Sequence, residues 1–185
     1  DDDCNGLTDE VDCDDGNAMS GDGCSATCHL ETFDVGDVVF TELMINPAAV
    51  DDFHGEWIEL LNTTEASIDM AGWSLGDGAS EVFFFDGAEP LVLSPGQRFL
   101  IGRDGDVADN GGVELDYVVP QMSLKNLADT LRLTWDGVVI DRVAWDQLAG
   151  WEVPEGATFT LAEGAEDAVS NDLLPSWCPA TEPYG

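Results

Sequence analysis

Short apolar runs alternate with turn-forming residues over most of the chain. The runs fall at residues 37–45, 57–61, 68–75, 82–85, 91–93, 99–101, 117–119, 130–135, 138–145 and 157–161. Within 57–61, Trp57, Glu59 and Leu61 point to one side, and Ile58 and Leu60 point to the other, which is the period of a β-strand. No stretch has sustained helical periodicity, and only residues 124–127 suit one short turn. The pattern predicts an all-β chain.

A hairpin is predicted where Asp136-Gly137 separates two of these runs. Asp-Gly suits a primed turn, because both of its central residues take a positive φ. The number and spacing of the short strands favour an antiparallel β-sandwich. We expect Trp57, Trp73 and Leu133 to contribute to its core.

The composition changes near residue 32. Residues 1–32 have no Lys or Arg, few apolar side chains and four of the five cysteines, at Cys4, Cys13, Cys24 and Cys28. Such a segment buries too little surface to fold without covalent or metal staples. The sequence therefore predicts a small cysteine-rich acidic module at 1–32. Residues 33–185 are predicted to form the sandwich, with an extended C-terminal tail packed on it by Trp177.

The four cysteines favour two disulfides, whose pairing the spacing leaves open. Zinc is the alternative, since Cys24 and Cys28 have tolerable ligand spacing and His29 follows them.

Calcium is the cofactor that the N-terminal module suits. Asp14, Asp15, Asn17 and Asp22 supply hard oxygen ligands among glycines, and calcium takes such oxygens. The alternative is that these residues only form turns. A second acidic loop, 104–112, lacks the spacing of an EF-hand, so we expect a polar loop with glycine turns.

The charge excludes several partners. Five Lys+Arg against 39 Asp+Glu give a net charge of −34. Nucleic acids and anionic membrane surfaces require clustered cations that this chain lacks. No apolar run in this sequence is long enough for membrane insertion. Acidity of this degree also keeps a protein soluble.

Catalytic residues are not predicted. The histidines, His29 and His54, lie in no Ser-His-Asp or Cys-His signature. Glu56 and Glu59 cannot act jointly, because their side chains point to opposite faces of a strand. We therefore expect a protein that is not an enzyme.

Several segments resemble the lamin-tail domain of bacterial secreted proteins. They are VFTELM at 39–44 with Asn46-Pro47, EWIELLN at 56–62, IDMAGWSL at 68–75, LSPG at 93–96, DTLRL at 129–133 and DGVVID at 136–141. The resemblance covers about residues 35–161. It implies an immunoglobulin-like antiparallel β-sandwich, an interaction surface and no enzymatic activity. The chromatin binding of lamin tails would need cations that are missing here.

The N-terminal segment resembles a cysteine-rich repeat of surface proteins from myxobacteria and related marine bacteria. The resemblance lies in CDDGN at 13–17 and GDGCSATC at 21–28. The usual first motif, Cys-Gly-Asp-Gly, is replaced by CNGL at 4–7, which puts a ligand role for that corner in doubt. The resemblance implies an oxidising setting, and so disulfides rather than zinc.

These expectations define a non-catalytic interaction or structural module that is extracellular or at the cell surface. We expect an adhesion-associated domain, stabilised by calcium, that binds a protein or a glycan. The rival is an accessory domain of a larger secreted hydrolase or nuclease. The odd cysteine, Cys178, favours a partner beyond Gly185, and the alternatives are a buried thiol beside Trp177 or a bond to the N-terminal module.

We expect calcium to bind the loop from Asp14 to Asp22. A ligand that binds only the folded form stabilises it, so calcium should also raise the thermal stability of this module. Calorimetric titration of the isolated segment 4–28 tests this, with Asp14→Asn/Asp22→Asn as the matched variant. Heat and stabilisation at calcium on the order of millimolar are expected. Their absence would reduce these carboxylates to turn formers.

Overall fold

The predicted runs form the strands of an all-β structure. The computed structural model describes residues 31–78, 81–85 and 90–181. The strands are β1 (Val38–Met44), β2 (Trp57–Asn62), β3 (Ile68–Asp69), β4 (Ser74–Gly76), β5 (Val82–Phe84), β6 (Val92–Leu93), β7 (Arg98–Gly102), β8 (Tyr117–Val118), β9 (Ala128–Trp135), β10 (Val138–Asp146), β11 (Phe159–Leu161) and β12 (Trp177–Pro179). One short helix, α1 (Asp52–Gly55), and 3-10 turns at Gln147–Ala149 and Leu174–Ser176 complete the described elements.

The strands form sheets of six, four and two strands. The six-stranded sheet has the order β12-β11-β1-β2-β7-β8, the four-stranded sheet β10-β9-β4-β5, and the small sheet β3-β6. All described pairs are antiparallel except β7 with β8. The expected immunoglobulin-like antiparallel fold is confirmed. No helix in the described part of the chain is long and apolar enough to cross a membrane.

The residues predicted to form the sites of the N-terminal module lie outside the described residues. These are the four cysteines and the calcium ligands Asp14, Asp15, Asn17 and Asp22. Their disulfides and their metal site therefore stay predictions.

The main core lies between the two larger sheets. Two of the three residues expected in the core belong to it, and the third belongs to a separate cluster. Trp73 and Leu133 are fully buried in it, as predicted. Trp57 is also buried, but in a separate small cluster with Met44 and Val113. The reason is the alternation of β2: Ile58 and Leu60 take the inner face, so Trp57 packs on the other side.

The primed hairpin is confirmed between β9 and β10. Asp136 has φ 44° and Gly137 has φ 79°, so both central residues are left-handed. A positive φ at both positions is the property that makes Asp-Gly suitable there.

The C-terminal tail is part of the six-stranded sheet. β11 pairs with β1, and β12 pairs with β11. Trp177 is buried in the core, and its Nε1 donates to the carbonyl of Asn171 at 2.6 Å. The prediction that Trp177 packs the tail on the sandwich is confirmed. Cys178 points to the opposite side and is free and exposed, so the buried-thiol alternative is wrong.

A buried carboxylate joins the tail to both sheets. A register shift between Val139 and Asp141 turns Asp141 inward, where it is almost fully buried. Its Oδ2 accepts the backbone N–H of Phe40 in β1 at 2.7 Å and the amide of Asn171 at 2.6 Å. Its Oδ1 has no hydrogen-bond partner among the described residues. Burial raises the pKa of Asp141 to about 7, against the smaller lowering effect of these donors.

The raised pKa of Asp141 predicts that stability falls as the pH rises from about 4 to about 7. The folded form holds the Asp141 proton more tightly than the unfolded chain, whose ordinary value is 3.8. Its contribution to stability is therefore present below about pH 4 and is lost as the pH rises to about 7. We expect Asp141→Asn to flatten the fall in the free energy of unfolding between about pH 5 and about pH 8. Urea unfolding at the two pH values measures this.

Asp167→Asn is the matched control. Hydrogen bonds from Ser170 and Val169 hold the pKa of Asp167 below its ordinary value, so its contribution changes only in acid. The slope between about pH 5 and about pH 8 should stay as in the parent chain. An equal slope in the Asp141 variant would contradict the assignment.

Candidate functional site

The candidate site lies where α1 meets the loop 103–113. Asp51 caps α1, and its carboxylate accepts the backbone N–H of His54 at 3.1 Å. This capping closes a single helical turn between two strands. The turn places Phe53 and His54 beside the first residues of the loop, Arg103 and Asp104.

A buried ion pair fixes the base of the site. Glu56 Oε2 accepts from Arg103 Nη1 at 2.8 Å and from the backbone N–H of Leu124 at 3.1 Å. Burial raises the pKa of Glu56 to about 7, although both donors act in the opposite direction. The Arg103 guanidinium also lies 5.0 Å from the ring centre of Phe53. Arg103 therefore connects the loop to both ends of α1.

His54 forms a second connection between α1 and the loop. Its Nδ1 is 2.7 Å from Asp51 Oδ1, and its Nε2 is 3.7 Å from Asp104 Oδ2. The hydrogen bond with Asp51 raises the pKa of His54, and the charges of Asp104 and Asp109 add to the rise. The geometry suits a cationic bridge rather than a general base.

The acidic loop uses its polar side chains as turn formers. Asp104 Oδ1 accepts the N–H of Asp106 at 2.9 Å, and Asp106 Oδ1 accepts that of Ala108 at 2.9 Å. Asn110 bonds the loop on both sides, through its amide to the carbonyls of Asp104 and Val113. The structure thus supports the expected polar loop. Within the described residues, no group of three or more His, Cys, Asp or Glu could hold a metal ion.

A cavity of about 290 Å³ opens beside α1, and we name it the α1 cavity. Its apolar floor is the small cluster of Met44, Trp57 and Val113. The other lining residues are Pro47, Ala48, Ala49, Val50, Gly55, Asn110, Gly111 and Gly156. Gly55 is required by space, since a Cβ there would lie 2.6 Å from Val50 Cγ2 and 2.7 Å from Pro47 Cβ.

Acidic residues adjoin the lining of the α1 cavity along the chain. Three lining residues, Val50, Asn110 and Gly156, each have an exposed acidic neighbour in the chain. We name these neighbours, Asp51, Asp109 and Glu155, the acidic rim. An apolar recess with such a rim can bind an apolar side chain that has a positively charged group beside it.

Sequence reasoning found the separation of the glutamates but missed the cavity. Glu56 pairs with Arg103, whereas Glu59 pairs with Arg98 and accepts from Thr41. The two carboxylates thus serve different sides of β2, as expected. Phe53, an aromatic residue within the acidic segment 51–56, is 46% exposed and lies against Arg103 rather than in the cavity.

Comparison with known protein families matches residues 31–147 to the lamin tail domain. The match includes α1, the loop 103–113 and most of the cavity lining, and it ends before β11 and β12. No curated protein matches the chain significantly.

The Glu56–Arg103 pair predicts a strong and pH-dependent loss of stability. Arg103→Met should cost about 3–5 kcal/mol at about pH 8, because it leaves a buried carboxylate unpaired. The cost should be smaller at about pH 5, where Glu56 takes up a proton. Urea unfolding measures both values. Removing both charges, as Glu56→Gln/Arg103→Met, should recover much of the loss at alkaline pH.

The matched control is Arg142→Met, which removes a half-exposed ion pair with Asp172. Its cost should stay within about 1 kcal/mol at both pH values. An Arg103 variant that is as mild as this control would refute a structural role for the buried pair.

Proposed function

The chain belongs to the lamin tail domain family, and on that premise we propose that it is an extracellular interaction module of a bacterial secreted or surface protein. The family has an immunoglobulin-like fold and commonly serves as a non-catalytic interaction module. The proposal adds the setting and the kind of partner.

The extracellular setting is supported by the N-terminal sequence. Four cysteines within 28 residues suit disulfides, which form in oxidising compartments. The resemblance to a cysteine-rich repeat of bacterial surface proteins has the same implication. In this proposal calcium, held by Asp14, Asp15, Asn17 and Asp22, stabilises the N-terminal module. An adhesion role follows from this setting.

The α1 cavity with its acidic rim is the observation that carries the binding role. Its floor is aliphatic apart from Trp57, which is almost fully buried and offers no open ring to a sugar. An apolar side chain fits such a recess better than a polar ligand. The occupant at this site is therefore a protein segment with an apolar side chain.

The negative charge of the chain determines which residues are favoured beside that apolar side chain in the partner. The chain carries a net charge of −34, and the exposed residues Asp51, Asp109 and Glu155 each adjoin a residue that lines the cavity. A partner with Lys or Arg beside its apolar anchor is attracted from a distance and held at contact. Four of the five cations of the chain are already in ion pairs. The site consequently favours a cationic protein segment.

The test uses the blocked peptide acetyl-Lys-Lys-Leu-Lys-Lys-amide as the probe. We expect saturable shifts of the backbone amide signals of Gly55, Gly111 and Val113 in NMR titration of the full chain. Ala49→Phe places a ring at the exposed cavity margin and should weaken binding about ten-fold or more. Asp109→Asn/Glu155→Gln should weaken it several-fold and reduce its dependence on salt.

Ala162→Phe, at an exposed position away from the cavity, is the control and should leave binding unchanged. Two further peptides separate the contribution of the apolar side chain from that of the positive charges. Replacing the leucine of the probe with glycine should abolish the shifts, and replacing its lysines with glutamates should do the same. Equal binding of either peptide, or no effect of Ala49→Phe, would overturn the proposal.

A further inference from the structure

The outer face of the four-stranded sheet differs from the rest of this acidic chain. Its outward positions alternate with buried Leu75, Leu131, Leu133 and Val143. We name as the arginine face the outward residues Val82, Phe84, Arg132, Thr134, Val139 and Arg142. Their neighbours in register on β4 are Ser74 and Gly76. None of the named positions is acidic, and Asp146 lies on the same face at the far end of β10.

Large apolar side chains on this face are open to solvent. Phe84 is 59% exposed, Val82 50% and Val139 38%. Phe84 and Val82 lie on β5, the edge of the sheet, and Val139 lies on β10 at the other edge. Exposed apolar groups that lie together on one surface are typical of a binding surface.

The two arginines of the face stand directly opposite each other. Arg132 and Arg142 are partners in the register of β9 and β10, and like charges in that position destabilise a sheet. Arg142 is compensated by Asp172 at 3.1 Å. Arg132 has no carboxylate or hydrogen-bond partner among the described residues, and its Nε is buried without one. The pair thus keeps one uncompensated positive charge.

Space is available for the Arg132 side chain and for a ligand. Gly78 allows the guanidinium to lie against the backbone, since a Cβ there would fall 2.3 Å from Nη1. An open groove of about 360 Å³ is lined by Arg132, Arg142, Val35, Val139, Ile140 and Ala168, and also by the carboxylates Asp141 and Asp172. Asp172 is paired with Arg142, and Asp141 is held by Phe40 and Asn171. That volume is within the usual range for small ligands, about 300–1,000 Å³.

We propose that the arginine face binds a carboxylated saccharide chain, with Arg132 holding the carboxylate and Phe84 packing against a sugar ring. The single uncompensated charge matches one carboxylate. β4 separates β5 from β9, so Phe84 and Arg132 are about 10 Å apart across the sheet. A ligand that reaches both must be longer than one ring.

The flat face favours a saccharide over the other acidic partners. Thr134 and Ser74 offer hydroxyls between the aromatic ring and the arginine, and these suit the hydroxyls of a sugar. A second copy of the chain related by two-fold symmetry would place arginine against arginine. An acidic peptide would use the same arginine but has no need of the exposed ring.

Because of the net charge of the chain, we expect its affinity for an anionic ligand to depend on salt in an unusual direction. The −34 charge repels an anionic ligand at long range, whereas Arg132 attracts it at contact. Salt screens the long-range repulsion first, since the Debye length at physiological ionic strength is about 8 Å. Affinity should therefore rise from about 10 mM to about 150 mM salt. This site uses other strands than the α1 cavity, so the inference goes beyond the proposed function.

Calorimetric titration of the full chain with trigalacturonate tests the inference. We expect saturable binding that strengthens with salt over the stated range. Arg132→Gln should weaken it about ten-fold, and Arg132→Lys should restore part of the loss, because the charge returns without the planar fork. Phe84→Ala should weaken it several-fold. Arg98→Gln and Phe53→Ala, an arginine and an aromatic residue outside the face, are the matched controls and should change nothing.

Three results would overturn the inference. They are no binding of trigalacturonate at millimolar concentration, equal binding of neutral maltotriose, and equal or tighter binding of a hexaglutamate peptide. Unfolding midpoints confirm that each variant is folded. If the Arg132→Gln variant is not folded, binding of trigalacturonate to the Arg132→Lys and Phe84→Ala variants tests the inference.

Discussion

Asp141 receives hydrogen bonds from the first strand and from the tail, although it belongs to the opposite sheet. Phe40 donates from the six-stranded sheet, and Asn171 donates from the segment that precedes β12. Asn171 in turn accepts from the indole of Trp177 through its carbonyl. The burial of one carboxylate therefore orders three parts of the chain. The two donors offset part of its desolvation cost.

This junction explains why the domain extends past the family match. The matched residues end at 147, but the exposed edge of β1 would then lack a partner. β11 covers that edge, β12 covers β11, and the Asp141–Asn171 bond holds the intervening chain. An uncovered edge strand is an aggregation risk, so the tail is a structural requirement of this sandwich.

The sequence was a good guide to the strands because alternation and turn residues are local. The sequence correctly predicted the turn at Asp136-Gly137 between the runs that form β9 and β10. It gave residues 68–75 as a run broken by Gly72, and Gly72, at φ 76°, does divide them, into β3 and β4 in different sheets. It missed β12, because a three-residue strand is specified by its partner β11 rather than by its own pattern.

The candidate sites depend on contacts that no local pattern encodes. Glu56 meets Leu124 across 68 positions, and Phe40 meets Asp141 across 101. Charge counts indicated an acidic surface but not its distribution. In the structure, exposed acidic residues adjoin the lining of the α1 cavity, and none occupies the named positions of the arginine face. We propose on this basis that the chain joins a cationic protein segment to an acidic glycan.

Amide hydrogen exchange in the parent chain and in Asn171→Ala tests most directly whether the tail and the sandwich form one unit. We expect Leu161 and Trp177 in the parent chain to be as protected as residues of β2 and β9, because they open only with global unfolding. In the variant, protection should fall at the amide of Phe40 as well as in β11 and β12. Rapid exchange of β11 and β12 in the parent chain, with Phe40 unchanged in the variant, would contradict it.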